Sequence, residues 1–185
     1  MVQSRALNAL VLGFGPFGEV VDNPSARVAC AVSGRRVGGV DIIGEAMPVS
    51  YGRSVTLALV RAAQLRPALV LGIGVAVRRE VAMVERYGRN RAATRAADID
   101  GVRVRNHGEG PGVLESPYAE ELAGALGVPL SDDAGSYVCN AWLYRSLRCG
   151  LPAAFLHVPA QGIEPERVAE AVARVVHILE HRAAS

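Results

Sequence analysis

The run Ala9-Leu10-Val11-Leu12-Gly13-Phe14-Gly15-Pro16-Phe17-Gly18, followed by Asn23-Pro24-Ser25, decides how this chain folds. Four successive apolar residues show no alternation, the pattern of a strand covered on both faces and therefore of a parallel sheet. Gly13 stops the run and a tight loop follows. Asn23 then reads as an N-cap with Pro24 at the first helical position, opening a helix to about Val32.

Outward from that unit, the alternation continues. Residues 40–48 read as a second strand, and 53–65 as a helix with Val55, Ala58, Leu59 and Ala62 on its inner face. Residues 67–74 and 80–85 read as a third and a fourth strand. After a gap come a helix at 117–126, a short strand at 128–131, a helix at 136–147 and a strand at 153–158. The last helix, 165–181, places Val168, Val172, Val175, Val176 and Leu179 at helical spacing. The whole, residues 1–185, reads as one single-domain α/β fold, a mostly parallel mixed sheet with helices on both faces. The gap, 86–116, is rich in Gly, Asn, Asp and Arg and reads as a long loop that is functional, mobile or both.

Composition narrows the chemistry. All 20 basic residues are Arg and none is Lys, which excludes Schiff-base chemistry and a Walker-type phosphate lysine. A net charge of +2 argues against a dedicated nucleic-acid or membrane surface. Cys30, Cys139 and Cys149 form neither a disulfide framework nor a zinc pattern, pointing to a reducing, cytoplasmic compartment. The first apolar run is too short to span a membrane and lacks a cleavage pattern. The expectation is no metal and no cofactor.

Residues 13–18 match GxGxxG literally, yet they make a poor dinucleotide site. Pro16 removes an N–H that pyrophosphate needs, and the helix opens only after Asp22-Asn23. Phe14 and Phe17 instead suggest walls for a small flat apolar group at a strand's carboxyl end; a hydrophobic plug on the neighbouring helix fits the same residues.

The stretch Ser131-Asp132-Asp133-Ala134-Gly135-Ser136-Tyr137-Val138-Cys139-Asn140 puts a cysteine near a helix start. There the unpaired N–H groups and partial positive charge favour a thiolate and can receive an oxyanion. A small buried hydrophobe is the other reading of Cys139. His157 should stand at the carboxyl end of the strand that follows, so the two can meet at one rim; a buried, hydrogen-bonded histidine is its alternative. His177 and His181 read as complements to a helix C-terminus rather than metal ligands, and His107 as solvated. Glu85, ending a strand beside Arg86, is a candidate third group or a surface ion pair.

In these features the chain resembles pyroglutamyl peptidase I, a cysteine peptidase family, in order from Gly13 to about Pro159. The family's opening is similar to residues 13–18 with Asn23-Pro24-Ser25, and a second segment to Met47-Pro48-Val49-Ser50-Tyr51. Further motifs match Gly74, Ala76, Arg79, Glu85, Arg86 and Asn90; then Ser131, Ala134, Gly135, Tyr137, Cys139 and Asn140; then Phe155, His157 and Pro159. The resemblance implies Cys139 as nucleophile, His157 as general acid–base and Glu85 as the group orienting it. It implies that Phe14 and Phe17 sandwich a flat lactam, that Val49, Tyr137 and Val138 complete the pocket, and that Arg95 helps with the oxyanion. Peptides with an N-terminal pyroglutamate are the implied substrates, and the amide bond after that residue the one hydrolysed. The family often has Gln, a polar reader of the lactam, where this chain has Val75. Family members often associate through loops and a tail that are trimmed here, so the resemblance allows a homo-oligomer without requiring one. Two other readings stand beside it: a thiol hydrolase of the same fold acting on another small cyclic or acyl amide, and a non-catalytic small-molecule binding module.

Overall fold

The computed structural model describes residues 7–92 and 96–183. In chain order the elements are β1 (Leu7–Phe14), α1 (Pro24–Val32), β2 (Arg36–Val37), β3 (Val40–Met47), α2 (Arg53–Leu65), β4 (Leu69–Val75) and β5 (Met83–Glu85). Then follow β6 (Tyr87–Arg89), β7 (Val113–Glu115), α3 (Ala119–Leu126), β8 (Leu130–Ser131), α4 (Val138–Arg148), β9 (Ala153–Val158) and α5 (Pro165–Ala183). Seven strands form one sheet in the order β2-β3-β1-β4-β9-β5-β8. Its centre, β3, β1, β4 and β9, is parallel, whereas β2 and β5 each run antiparallel to a neighbour. The fold is the mostly parallel mixed α/β sheet that the apolar runs predict. No helix among the described residues is long and apolar enough to cross a membrane.

Strand residues point alternately to opposite faces, and here the two faces have separate cores. Ala9, Val11, Leu71, Ile73 and Leu156 pack with Val28 of α1, Leu122 of α3 and Val172 of α5. Leu10, Leu12, Val70 and Phe155 pack with Val55 of α2 and Trp142 of α4. The second face is where the chemistry gathers, because two glycines let α4 lie directly on β4. A Cβ at Gly72 would stand 2.5 Å from the Trp142 ring, and one at Gly74 would stand 2.9 Å from Cys139 Sγ. Gly72 and Gly74 are two apart on a strand, and Cys139 and Trp142 three apart on a helix. Both spacings repeat on one face, so the four side-chain positions stack in register.

Several boundaries differ from the sequence reading. The strand expected at 80–85 is only Met83–Glu85, and α3 and α4 each begin two residues late. The stretch 86–116 is not a plain loop: β6 pairs with β7. Asn140, fully buried, holds that stretch to α4 by accepting from Arg89 N–H at 2.8 Å and donating to the carbonyls of Arg89 and Arg91, each at 2.9 Å. His107, expected in solvent, packs its ring 5.5 Å from that of Tyr144, and burial lowers its pKa. The pairing partners in this stretch are far apart in the chain and its apolar signals short, so no periodicity announces them.

Candidate active site

Four elements bring the functional side chains to one place. Parallel β4 and β9 are in register with Gly74 opposite His157, so the imidazole stands at the carboxyl end of β9 beside the gap that Gly74 leaves. Cys139 is the second residue of α4, after Tyr137 as N-cap, and no side chain caps that end. The first-turn N–H groups and the positive end of the helix dipole therefore lie beside the sulfur. Cys139 and His157 both face the same cavity, and the sulfur acts on the His157 ring strongly enough to raise its pKa.

Glu85 reaches His157 from the far side. Because β5 runs against β9, Met83 pairs with His157 and Glu85 with Phe155, one pleat deeper in the sheet. The Glu85 carboxylate is fully buried and accepts from His157 Nδ1 at 2.7 Å. An ionised carboxylate can only accept, so Nδ1 carries the proton and Nε2 is left for the cysteine side. Arg79 also donates to Glu85 Oε1, at 2.6 Å. Glu85 Oε2 is buried with no partner among the described residues.

Burial drives both titratable groups toward neutrality, and their partners reverse it. For His157, burial lowers the pKa, but the Cys139 charge and hydrogen bond, then Glu85, raise it to about 9. For Glu85, burial acts upward, but the hydrogen bond and charge of His157, then Ser131 and Arg79, hold it below 4.5. His157 thus stands between a sulfur and a carboxylate, an arrangement able to move a proton.

In front of the sulfur is a cavity of about 280 Å³. Phe14, Phe17, Val49, Val75 and Tyr137 line it together with Cys139 and His157. Asn23 fixes the aromatic loop, accepting from Ser25 N–H at 3.1 Å and donating to the Gly15 carbonyl at 2.9 Å. Phe17 packs 6.5 Å from the Tyr137 ring, and Phe14 6.2 Å from Phe155. Both phenylalanines therefore line the cavity while packing against neighbouring rings. Val138 is a correction: its side chain is fully buried in the core under α2 and α4 and does not line the cavity, since the first turn of α4 faces it inward. Arg95 lies outside the described residues. His177 Nε2 meets the Gly38 carbonyl at 2.8 Å. Among the described residues no group of three or more His, Cys, Asp and Glu could hold a metal ion.

The sequence reading gave no role to Arg79, Ser131 or Asn140. Their one signal was membership of the motifs quoted for the resemblance, since a charged residue in an irregular turn otherwise reads as solvated.

Comparison with known proteins agrees with the geometry. The profile of the pyroglutamyl peptidase family matches residues 7–174. The pyrrolidone-carboxylate peptidase of Pyrococcus furiosus is 28% identical over 168 residues, covering 83% of this chain and 81% of the relative. That of Saccharolobus islandicus is 31% identical over 166 residues, covering 83% and 79%, and that of Mycobacterium marinum 33% over 150 residues, covering 75% and 68%. The structure of a mutant Pyrococcus furiosus pyrrolidone carboxyl peptidase superposes with a TM-score of 0.80 over 96% of this chain and all of that one; at 23% identity this speaks for the fold.

Proposed function

This chain belongs to the pyroglutamyl peptidase family, and from that membership we propose that it removes N-terminal pyroglutamate from peptides through Cys139, His157 and Glu85. It is a cysteine peptidase, and the placing of Cys139 beside His157 on one cavity, with His157 hydrogen-bonded to Glu85, supports these roles. The Cys139 thiolate attacks the carbonyl carbon of the pyroglutamyl residue, forming a C–S bond as the carbonyl electrons move to oxygen. Collapse breaks the C–N bond, and the leaving amine takes the proton from His157 Nε2. His157, now neutral, accepts a proton from water, whose oxygen attacks the thioester and frees pyroglutamate and the thiolate. Glu85 stays ionised throughout and holds the imidazole by its Nδ1–H. The N–H groups at the start of α4, beside the sulfur, are the donors assigned to the developing oxyanion.

Phe14 and Phe17 bound the ring, with Val49 and Tyr137 beside it. A lactam has no charged amine, so a cavity lined mainly by apolar side chains suits it. Val75 in the lining supports the second reading, a thiol hydrolase of another small cyclic or acyl amide, because it offers the lactam no side-chain hydrogen bond. Free Cys30, Cys139 and Cys149 suit a reducing compartment, and the cytoplasm is the proposed location. The deciding experiment compares hydrolysis of pyroglutamyl, prolyl and alanyl anilides. Preference for the pyroglutamyl substrate is expected; preference for either of the others gives the second reading.

A further inference from the structure

Arg79 enters none of the steps above, yet it touches three parts of the site. Its guanidinium donates through one nitrogen to Glu85 Oε1 at 2.6 Å, and through another to Ser131 Oγ and the Asp133 carbonyl, each at 3.0 Å. Glu85 lies at the end of β5, Ser131 at the end of β8, and Asp133 in the turn that leads to Cys139. One planar fork thus fastens the acid to the turn that carries the nucleophile. Arg79 is about one quarter exposed and also lines the cavity.

The need for this fork follows from how Glu85 is buried. Its carboxylate has no exposure, its Oε2 has no partner among the described residues, and both its ionic contacts among them fall on Oε1. Burial pushes such a carboxylate toward the neutral acid, and its partners, His157 first and then Ser131 and Arg79, oppose that; of these Arg79 is the one that is permanently charged. We propose that Arg79 is a positioning residue for the peptidase reaction, holding Glu85 ionised and tied to the nucleophile turn so that Glu85 can hold His157. This rests on the reading of Cys139, His157 and Glu85 as the reacting set.

The other charges around Glu85 are committed elsewhere. From β9 it faces His157, and from α4 Cys139 lies beyond that ring; from β8 it faces only the Ser131 hydroxyl. Asp133 turns its carboxylate to Arg91 and Asp132 to Arg86. On α3, Glu121 pairs with Arg182, and Glu120 interacts with Arg86. Among these groups Arg79 is the cation that meets the Glu85 carboxylate besides His157.

The test is the pH dependence of kcat/KM for wild type, Arg79→Gln and Arg79→Lys, on a pyroglutamyl anilide. In Arg79→Gln the acid limb should move up by about one pH unit, with the loss in kcat rather than KM. Arg79→Lys should return the limb toward wild type while leaving kcat reduced, because an ammonium keeps the charge and loses the fork. An acid limb unmoved in Arg79→Gln, or a loss confined to KM, overturns the proposal. Capture of Cys139 by iodoacetamide is the second arm and needs no substrate. There the rate of Cys139 capture at neutral pH, read by peptide mass analysis, should fall in Arg79→Gln and recover in part in Arg79→Lys, since a loosened Glu85 no longer holds His157 beside the sulfur; an unchanged rate overturns the proposal. A wild type inert toward pyroglutamyl anilides but captured at Cys139 counts against the assigned substrate and leaves this second arm to decide.

Discussion

The two faces of the sheet are built from different materials. The face under α1, α3 and α5 is packed by Val, Leu, Ile and Ala with no fully buried aromatic ring among the described residues. The face under α2 and α4 holds Phe14, Tyr51, Trp142 and Phe155, and the buried charge of Glu85 and the ring of His157 point the same way. Aliphatic residues fill space with no polar atom to satisfy, which suits a face that only stabilises. Aromatic rings and paired glycines instead leave a shaped gap over β4, at the cost of polar atoms that must find partners. Stability and chemistry are therefore separable by mutation, and that separation can be tested.

The sharpest contrast is Cys139→Ala against Leu122→Ala. The first should lower kcat by at least about a thousandfold in the anilide assay and leave the thermal midpoint close to wild type. The second should lower unfolding free energy by about 2–5 kcal/mol in denaturant titration and leave kcat near wild type. Similar losses of activity from both would erase the distinction between faces.

Next in size is Glu85→Gln, which should cost about a hundredfold or more in kcat, since an amide can present the wrong tautomer of His157. It should also change how stability follows pH. The Glu85 pKa is lowered in the fold, so its contribution is present above 4.5 and lost as pH falls through the folded value. The His157 pKa is raised to about 9, so its contribution is complete below 6.5 and lost as pH rises through 9. Wild-type thermal midpoints should thus be highest between these limits and fall on either side. Glu85→Gln should flatten the acid side, and an unchanged acid slope would show that Glu85 is not the group responsible.

Smaller still is Gly74→Ala. The added carbon would meet Cys139 Sγ at 2.9 Å and the Phe155 ring at 3.0 Å, so sulfur or ring must shift. We expect kcat to fall by about tenfold to a hundredfold with KM less affected; full activity would mean that α4 can lift from β4 without consequence. The smallest effect expected is from Tyr51→Phe. The Tyr51 hydroxyl is buried without a partner among the described residues, and burial, then Tyr137, Asp98 and Cys139, raises its pKa to about 12. Removing it should raise stability by about 1 kcal/mol in denaturant titration and spare kcat; a loss of activity would give that hydroxyl a part in the reaction.

The same contrast explains what was legible in the sequence. Continuous apolar runs such as residues 9–12 and 153–156 announce buried parallel strands, and the spacing of Val168, Val172 and Val176 announces α5, because burial on a regular element imposes a period. His157 at the end of such a run and Cys139 at a helix start were legible for the same reason. The direction of β5 was not: three residues carry no sign of running antiparallel, and that direction is what sinks Glu85 below His157. Val138 misled because adjacency to Cys139 says nothing about which side of a helix a residue faces. Arg79 and Asn140 were silent because their partners are fixed by tertiary folding, across 52 residues to Ser131 and 51 to Arg89.

The most direct trial of the central claim is intact and peptide mass analysis of enzyme quenched during turnover of a pyroglutamyl ester. The account predicts one pyroglutamyl group on the peptide carrying Cys139, absent in Cys139→Ala and longer-lived when His157 is replaced by Gln. Turnover at the wild-type rate by Cys139→Ala, or an acyl group carried by any other residue, would contradict it.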